Sequence, residues 1–106
     1  MVKELSREEF DSFISEGKKV VDLWAEWCFP CRLVSPLLEK ISDMMEGVEF
    51  GKFNIEEGFD VAERYDVQSI PTVLVFKDGK LLGRVVGARP DMKLSLIHIS
   101  EPTRPY

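Results

Sequence analysis

The only two cysteines of the chain, Cys28 and Cys31, lie two residues apart in the segment WCFPC, where a strand-like run gives way to a helical pattern. Val20 to Trp24 (VVDLW) is short, β-rich and mostly apolar, so it reads as a strand buried on both faces. From about Pro30 the pattern turns helical, with Leu33, Val34, Leu37, Leu38, Ile41 and Met45 assigned to one face and Gly47 to the end. Proline suits a first helical turn. Cys28 therefore falls at the helix N-terminus, where unpaired N–H groups and the macrodipole favour negative charge. Cys31 falls one turn inside, within reach of the Cys28 sulfur. Because a thiol reacts as thiolate, this junction supplies an attacking and a resolving thiol within one turn. The N-terminal thiol is expected to gain from both the dipole and exposure.

The other elements follow the same logic. Ser6-Arg7-Glu8-Glu9 is a capping box, followed by Phe10, Phe13 and Ile14 at helical spacing and closed by Gly17. Pro36 lies inside the long helix and is expected to kink it. Val48 to Ile55 alternates like a strand, Asp60 to Tyr65 reads as a short helix, and Thr72 to Phe76 as a buried strand. Lys77-Asp78-Gly79-Lys80 is a hairpin turn into Leu81 to Val86. From Val20 onward the order β-α-β-α-β-β predicts an α/β layer ending in an antiparallel hairpin.

Metal, staple and redox chemistry compete for the cysteine pair. An intrachain structural zinc needs four ligands, more than two cysteines and the single histidine, His98, can supply. Zinc or an iron–sulfur cluster shared between two copies stays open, as does an inert buried pair. A strand-to-helix CxxC, however, is a redox motif in its own right. The net charge of −5 argues against a nucleic-acid partner. No apolar run reaches about 18 residues, and MVKELSREEF is charged from its third residue, unlike a signal peptide. The expectation is a cytoplasmic protein with no membrane partner. In that compartment CxxC is more often catalytic or metal-binding than structural.

Asp22 interrupts the apolar strand two residues before Trp24, so alternation points it beneath the cysteines. A buried carboxylate is costly and its pKa rises; it would then accept a proton from Cys31. An edge position facing water is the alternative. Lys52 in the neighbouring strand is a partial counter-charge, although such a lysine taken alone more often faces solvent. Pro71, after Ile70, precedes a buried strand and is a candidate cis-proline.

These residues resemble the thioredoxin family over positions 1 to about 93, through VVDLWAEWCFPC, Pro36, KFNIEE, SIPT, VFKDGK and VVGA. The resemblance implies a central mixed β-sheet flanked by helices on both faces. It also implies that Cys28 is nucleophilic, Cys31 resolving, Asp22 the buried acid, Lys52 its neighbour and Pro71 a cis-proline facing the cysteines. Trp27, Ile70, Pro71, Val86, Gly87 and Ala88 would form a shallow apolar surface for a partner's backbone. Phe29 and Pro30 join that surface from between the cysteines. No cofactor is implied beyond the Cys28–Cys31 disulfide itself. The implied partners are disulfide-containing client proteins and a thioredoxin-reductase-type electron donor, with the chain acting as a monomer.

Two features depart from the family pattern. Phe29-Pro30 stands where Gly-Pro is usual, which tunes potential and partner choice. Leu94 to Arg104, LSLIHISEPTR, is what a transposon-end sequencing adapter gives when translated in one frame. Residues 1–93 are therefore expected to form the domain, with 94–106 an artefactual tail replacing the end of the last helix. A helix from about Pro90 to His98 docking Met92, Leu94 and Ile97 is expected, with Glu101 to Tyr106 exposed because Pro102 and Pro105 forbid its regular continuation. The leading reading is a protein-disulfide reductase. A binding or chaperone-like module with incidental redox activity is the alternative, and an insulin-disulfide reduction assay separates them.

Overall fold

Each apolar run becomes a strand of one five-stranded sheet in the computed structural model, which describes residues 1–101. The elements are β1 (Val2–Leu5), α1 (Arg7–Ile14), β2 (Lys18–Trp24), α2 (Phe29–Ser42), β3 (Val48–Asn54), a 3-10 turn (Ile55–Glu57), α3 (Phe59–Arg64), β4 (Thr72–Lys77), β5 (Lys80–Val86) and α4 (Met92–Ser100). The sheet order is β1-β3-β2-β4-β5, parallel from β1 to β2 and antiparallel from β2 to β5. The strand leading into the cysteines, β2, is thus the middle strand. Strand alternation sends Val21 and Leu23 to a core with Phe10 and Ile14 of α1 and Val61 of α3. It sends Val20 to the opposite core, with Val34, Leu38 and Ile41 of α2 and Met92 and Leu96 of α4. The predicted mixed sheet with helices on both faces is what the chain adopts.

Several local expectations need correction. β1 went unread because four residues with two charges, VKEL, carry too little pattern; only its pairing with β3 reveals it. Gly17 lies three residues beyond α1, with a positive φ and its N–H donating to Asp78 Oδ1. Gly47 likewise lies beyond α2, which ends at Ser42 after running as one helix through Pro36. Leu33, assigned to the core face, is 58% exposed. Leu33 lies about 140° around the helix from the buried Leu38, and a stripe holding both is wider than the face a helix presses on a sheet.

The last helix docks in a different register from the expected one. Met92, Leu96 and Ser100, four apart, are buried against β4 and β5, whereas Leu94 and Ile97 are exposed. Residues two apart on a helix point in nearly opposite directions, so Met92 and Leu94 cannot dock together. Ile99 sits on Gly83, where a β-carbon would come within 3.0 Å of it. Glu101 is exposed, as expected, and forms an ion pair with Lys18. The expectation for Pro102 to Tyr106 lies outside the described residues.

Candidate active site

The local sequence builds the site from the end of β2. The strand stops at Trp24, the Cys28 N–H donates to Ala25 O at 3.1 Å, and α2 begins at Phe29 with Pro30 in its first turn. Cys28 is the N-cap, and its sulfur accepts the Cys31 N–H at 3.3 Å. The two cysteines form a disulfide with Cα atoms 5.4 Å apart. Once the pair is reduced, that N–H and the helix terminus stabilise negative charge on Cys28 rather than Cys31. Exposure does not separate the two: Cys28 is 4% and Cys31 3% exposed. The expected advantage of Cys28 therefore rests on helix position alone.

The Ser69–Thr72 segment forms the facing wall. The Ile70–Pro71 bond is cis, and Ile70 O lies 3.8 Å from Cys28 Sγ. Thr72 Oγ1 donates to Ser69 O at 2.7 Å, and the Gly87 N–H donates to Pro71 O at 2.8 Å. Gly87 has φ +85°, a left-handed conformation natural to glycine. This bond ties the end of β5 to the proline segment, bringing Val86 and Ala88 to the rim. Trp27, Phe29, Pro30, Val86 and Ala88 are exposed around the buried sulfurs, and Ile70 is half-buried.

Asp22 lies behind the disulfide. It is 2% exposed, sits beside Lys52 in the parallel β2–β3 register, and its Oδ1 has no hydrogen-bond partner among the described residues. Desolvation pushes its pKa up to about 7, against the opposing pull of Lys52. Lys52 is half-buried rather than solvent-facing, its ammonium 5.4 Å from the centre of the Trp24 ring. A pocket of about 230 Å³ joins Asp22, Lys52 and Cys31, with Trp24, Ser35 and Arg32 also on its wall. Sequence reasoning missed Trp24, whose indole N–H is buried without a partner among the described residues. Its position two residues after Asp22 on the same strand was the available signal.

A disulfide-forming pair at a helix N-terminus, backed by a buried acid and faced by a cis-proline, is the arrangement of a thiol–disulfide oxidoreductase. The thioredoxin family model matches residues 1–98. The chain is 51% identical to a thioredoxin of Chlamydia pneumoniae over 89 residues, covering 84% of this chain and 87% of the relative. It is 45% identical to thioredoxin-1 of Saccharomyces cerevisiae over 83 residues, covering 77% and 81%. Among solved structures, the thioredoxin of Plasmodium falciparum superposes with a TM-score of 0.84 at 34% identity, covering 96% of this chain and all of the other. That of Malassezia sympodialis gives 0.83 at 32% identity, covering 94% and 91%. The chain belongs to the thioredoxin family, and it is a protein-disulfide reductase acting by dithiol–disulfide exchange through Cys28 and Cys31.

Proposed function

We propose that the two thiols divide the reaction according to their places on α2. Cys28 thiolate attacks one sulfur of a client disulfide, forming a mixed disulfide and releasing the other client sulfur as thiolate. Cys31 then gives its proton to the Asp22 carboxylate through the shared pocket and attacks the Cys28 sulfur. The mixed disulfide breaks, the client's second sulfur leaves, and the two electrons of the dithiol have passed to the client. The observation carrying this assignment is the Cys31 N–H directed at Cys28 Sγ. Alkylating the reduced chain at neutral pH tests it: Cys28 should label first, and faster labelling of Cys31 would reverse the roles.

The remaining roles follow from position. Lys52 keeps the field at Asp22 from becoming wholly unfavourable, and Pro71 presents the Ile70 carbonyl to the reacting sulfur. Trp27, Phe29, Pro30, Ile70, Val86, Gly87 and Ala88 receive the client backbone. The chain works as a cytoplasmic monomer in electron transport, re-reduced by a thioredoxin-reductase-type donor and needing no cofactor beyond its own disulfide. Among the described residues no helix is long and apolar enough to cross a membrane. Residues 1–93 form the functional domain and 94–106 an adapter-derived tail. The scatter of apolar side chains around α4, with Leu94 71% exposed and Leu96 fully buried, fits a segment never selected to dock.

A further inference from the structure

The helix carrying the cysteines has two apolar faces, and only one is used by the core. Val34, Leu38 and Ile41 are buried beneath it. Phe29, Leu33 and Pro36 recur at i, i+4 and i+7, which places them on a separate stripe along the outer side, bordered by Leu37, which packs against the core. Phe29 is 68% and Leu33 58% exposed; Pro36 is exposed and Leu37 half-buried. Arg32 is drawn aside by donating to Glu26 O at 3.1 Å, which leaves the stripe without a charge until Lys40. An isolated exposed leucine needs no explanation, but a contiguous stripe that starts beside a reactive sulfur does.

We infer that this outer stripe is a client-docking ridge, with Phe29 and Leu33 selecting disulfides whose cysteine is flanked by an aliphatic or aromatic side chain. The inference rests on the reductase reading above. Cys28 is nearly buried, so a client sulfur must descend between Phe29 on one side and the Ile70–Pro71 segment on the other. Side chains flanking that sulfur then lie over one wall or the other. The ridge extends the α2 wall, continuous with the surface any mixed disulfide must touch. A second copy lying on the ridge would cover Cys28 and obstruct the exchange.

The test uses two synthetic peptide disulfides that differ only in the residues flanking the cysteine, leucine in one and serine in the other. The pre-reduced full chain is mixed with each, quenched with acid, and the second-order rate of Cys28–Cys31 oxidation is measured. The leucine peptide should react about tenfold faster, equivalent to about 1.4 kcal/mol. Leu33→Ser adds no charge near the sulfur and should reduce that ratio to about threefold; Phe29→Ser/Leu33→Ser should bring it near one. A wild-type ratio near one, or a ratio unchanged by Leu33→Ser, would overturn the ridge while leaving the reductase reading intact. Failure of both peptides to oxidise the reduced wild-type chain would overturn the reductase reading and the ridge with it. Sedimentation of a wild-type dimer that Leu33→Ser converts to monomer would assign the stripe to self-association and overturn client docking.

Discussion

Asp22 and Lys52 sit side by side in the β2–β3 register, yet Asp22 Oδ1 is buried without a hydrogen-bond partner among the described residues. The lysine offsets only part of the desolvation, leaving the carboxyl pKa at about 7 instead of 3.8. That difference makes the ionised form less stable in the folded protein by on the order of 4 kcal/mol.

The consequence for stability has a definite sign. Because the folded pKa is raised, Asp22 imposes no penalty below about pH 4, where both folded and unfolded chains hold its proton. Between about pH 4 and 7 the unfolded chain releases that proton while the folded chain still holds it, so stability falls as pH rises and levels off above about 7. Asp22→Asn should therefore be more stable than wild type above pH 7, with the gap closing towards pH 4. Denaturant melts of both proteins across that range check this; a constant gap would mean that Asp22 is not the titrating group. Resolution by Cys31 should slow more than initial attack in the same variant.

Asp22 was legible in the sequence because alternation along VVDLW leaves one acidic side chain facing the helix that follows. The strand-to-helix junction was legible for a similar reason, since Pro30 and the cysteine spacing are both local. The facing wall was not derivable locally: Ile70 lies 42 residues from Cys28 in sequence, and only closure of the sheet brings its carbonyl to the sulfur. Leu33 misled because helical periodicity marks apolar faces without saying how many the core will use. In α4 apolar residues run all round, so spacing alone could not choose Leu96 over Leu94.

Cys28→Ser should abolish disulfide reduction, because the serine hydroxyl at the helix N-terminus does not ionise near neutral pH. Cys31→Ser should still attack but fail to resolve, accumulating a mixed disulfide with the client. Mass spectrometry of client-treated protein checks both. Accumulation in Cys28→Ser instead would invert the assignment.

Phe29→Gly should raise the potential of the Cys28–Cys31 couple by tens of millivolts, where about 30 mV corresponds to 1.4 kcal/mol. Removing the 68%-exposed ring admits water to the Cys28 thiolate and so stabilises the reduced form. Equilibration with a glutathione redox buffer measures the shift. An unchanged or lower potential would show that the ring does not shield the sulfur.

The tail offers two contrasting substitutions within one helix. Leu96 is fully buried against the sheet, so Leu96→Ala should cost about 2–5 kcal/mol. Leu94 is 71% exposed, so Leu94→Ala should change stability by less than about 0.5 kcal/mol. Truncation after Ser100 removes the surface ion pair of Glu101 with Lys18, a contact worth at most about 1 kcal/mol, and should leave reductase activity intact. An adapter-derived segment can dock through whichever apolar residues happen to fall inward, and a purpose-built amphipathic helix over 94–106 should therefore raise the melting temperature. Thermal melts of the four proteins decide the matter. If truncation after Ser100 unfolds the domain, or the designed helix lowers the melting temperature, the tail's sequence is fitted to this fold and the adapter origin is wrong.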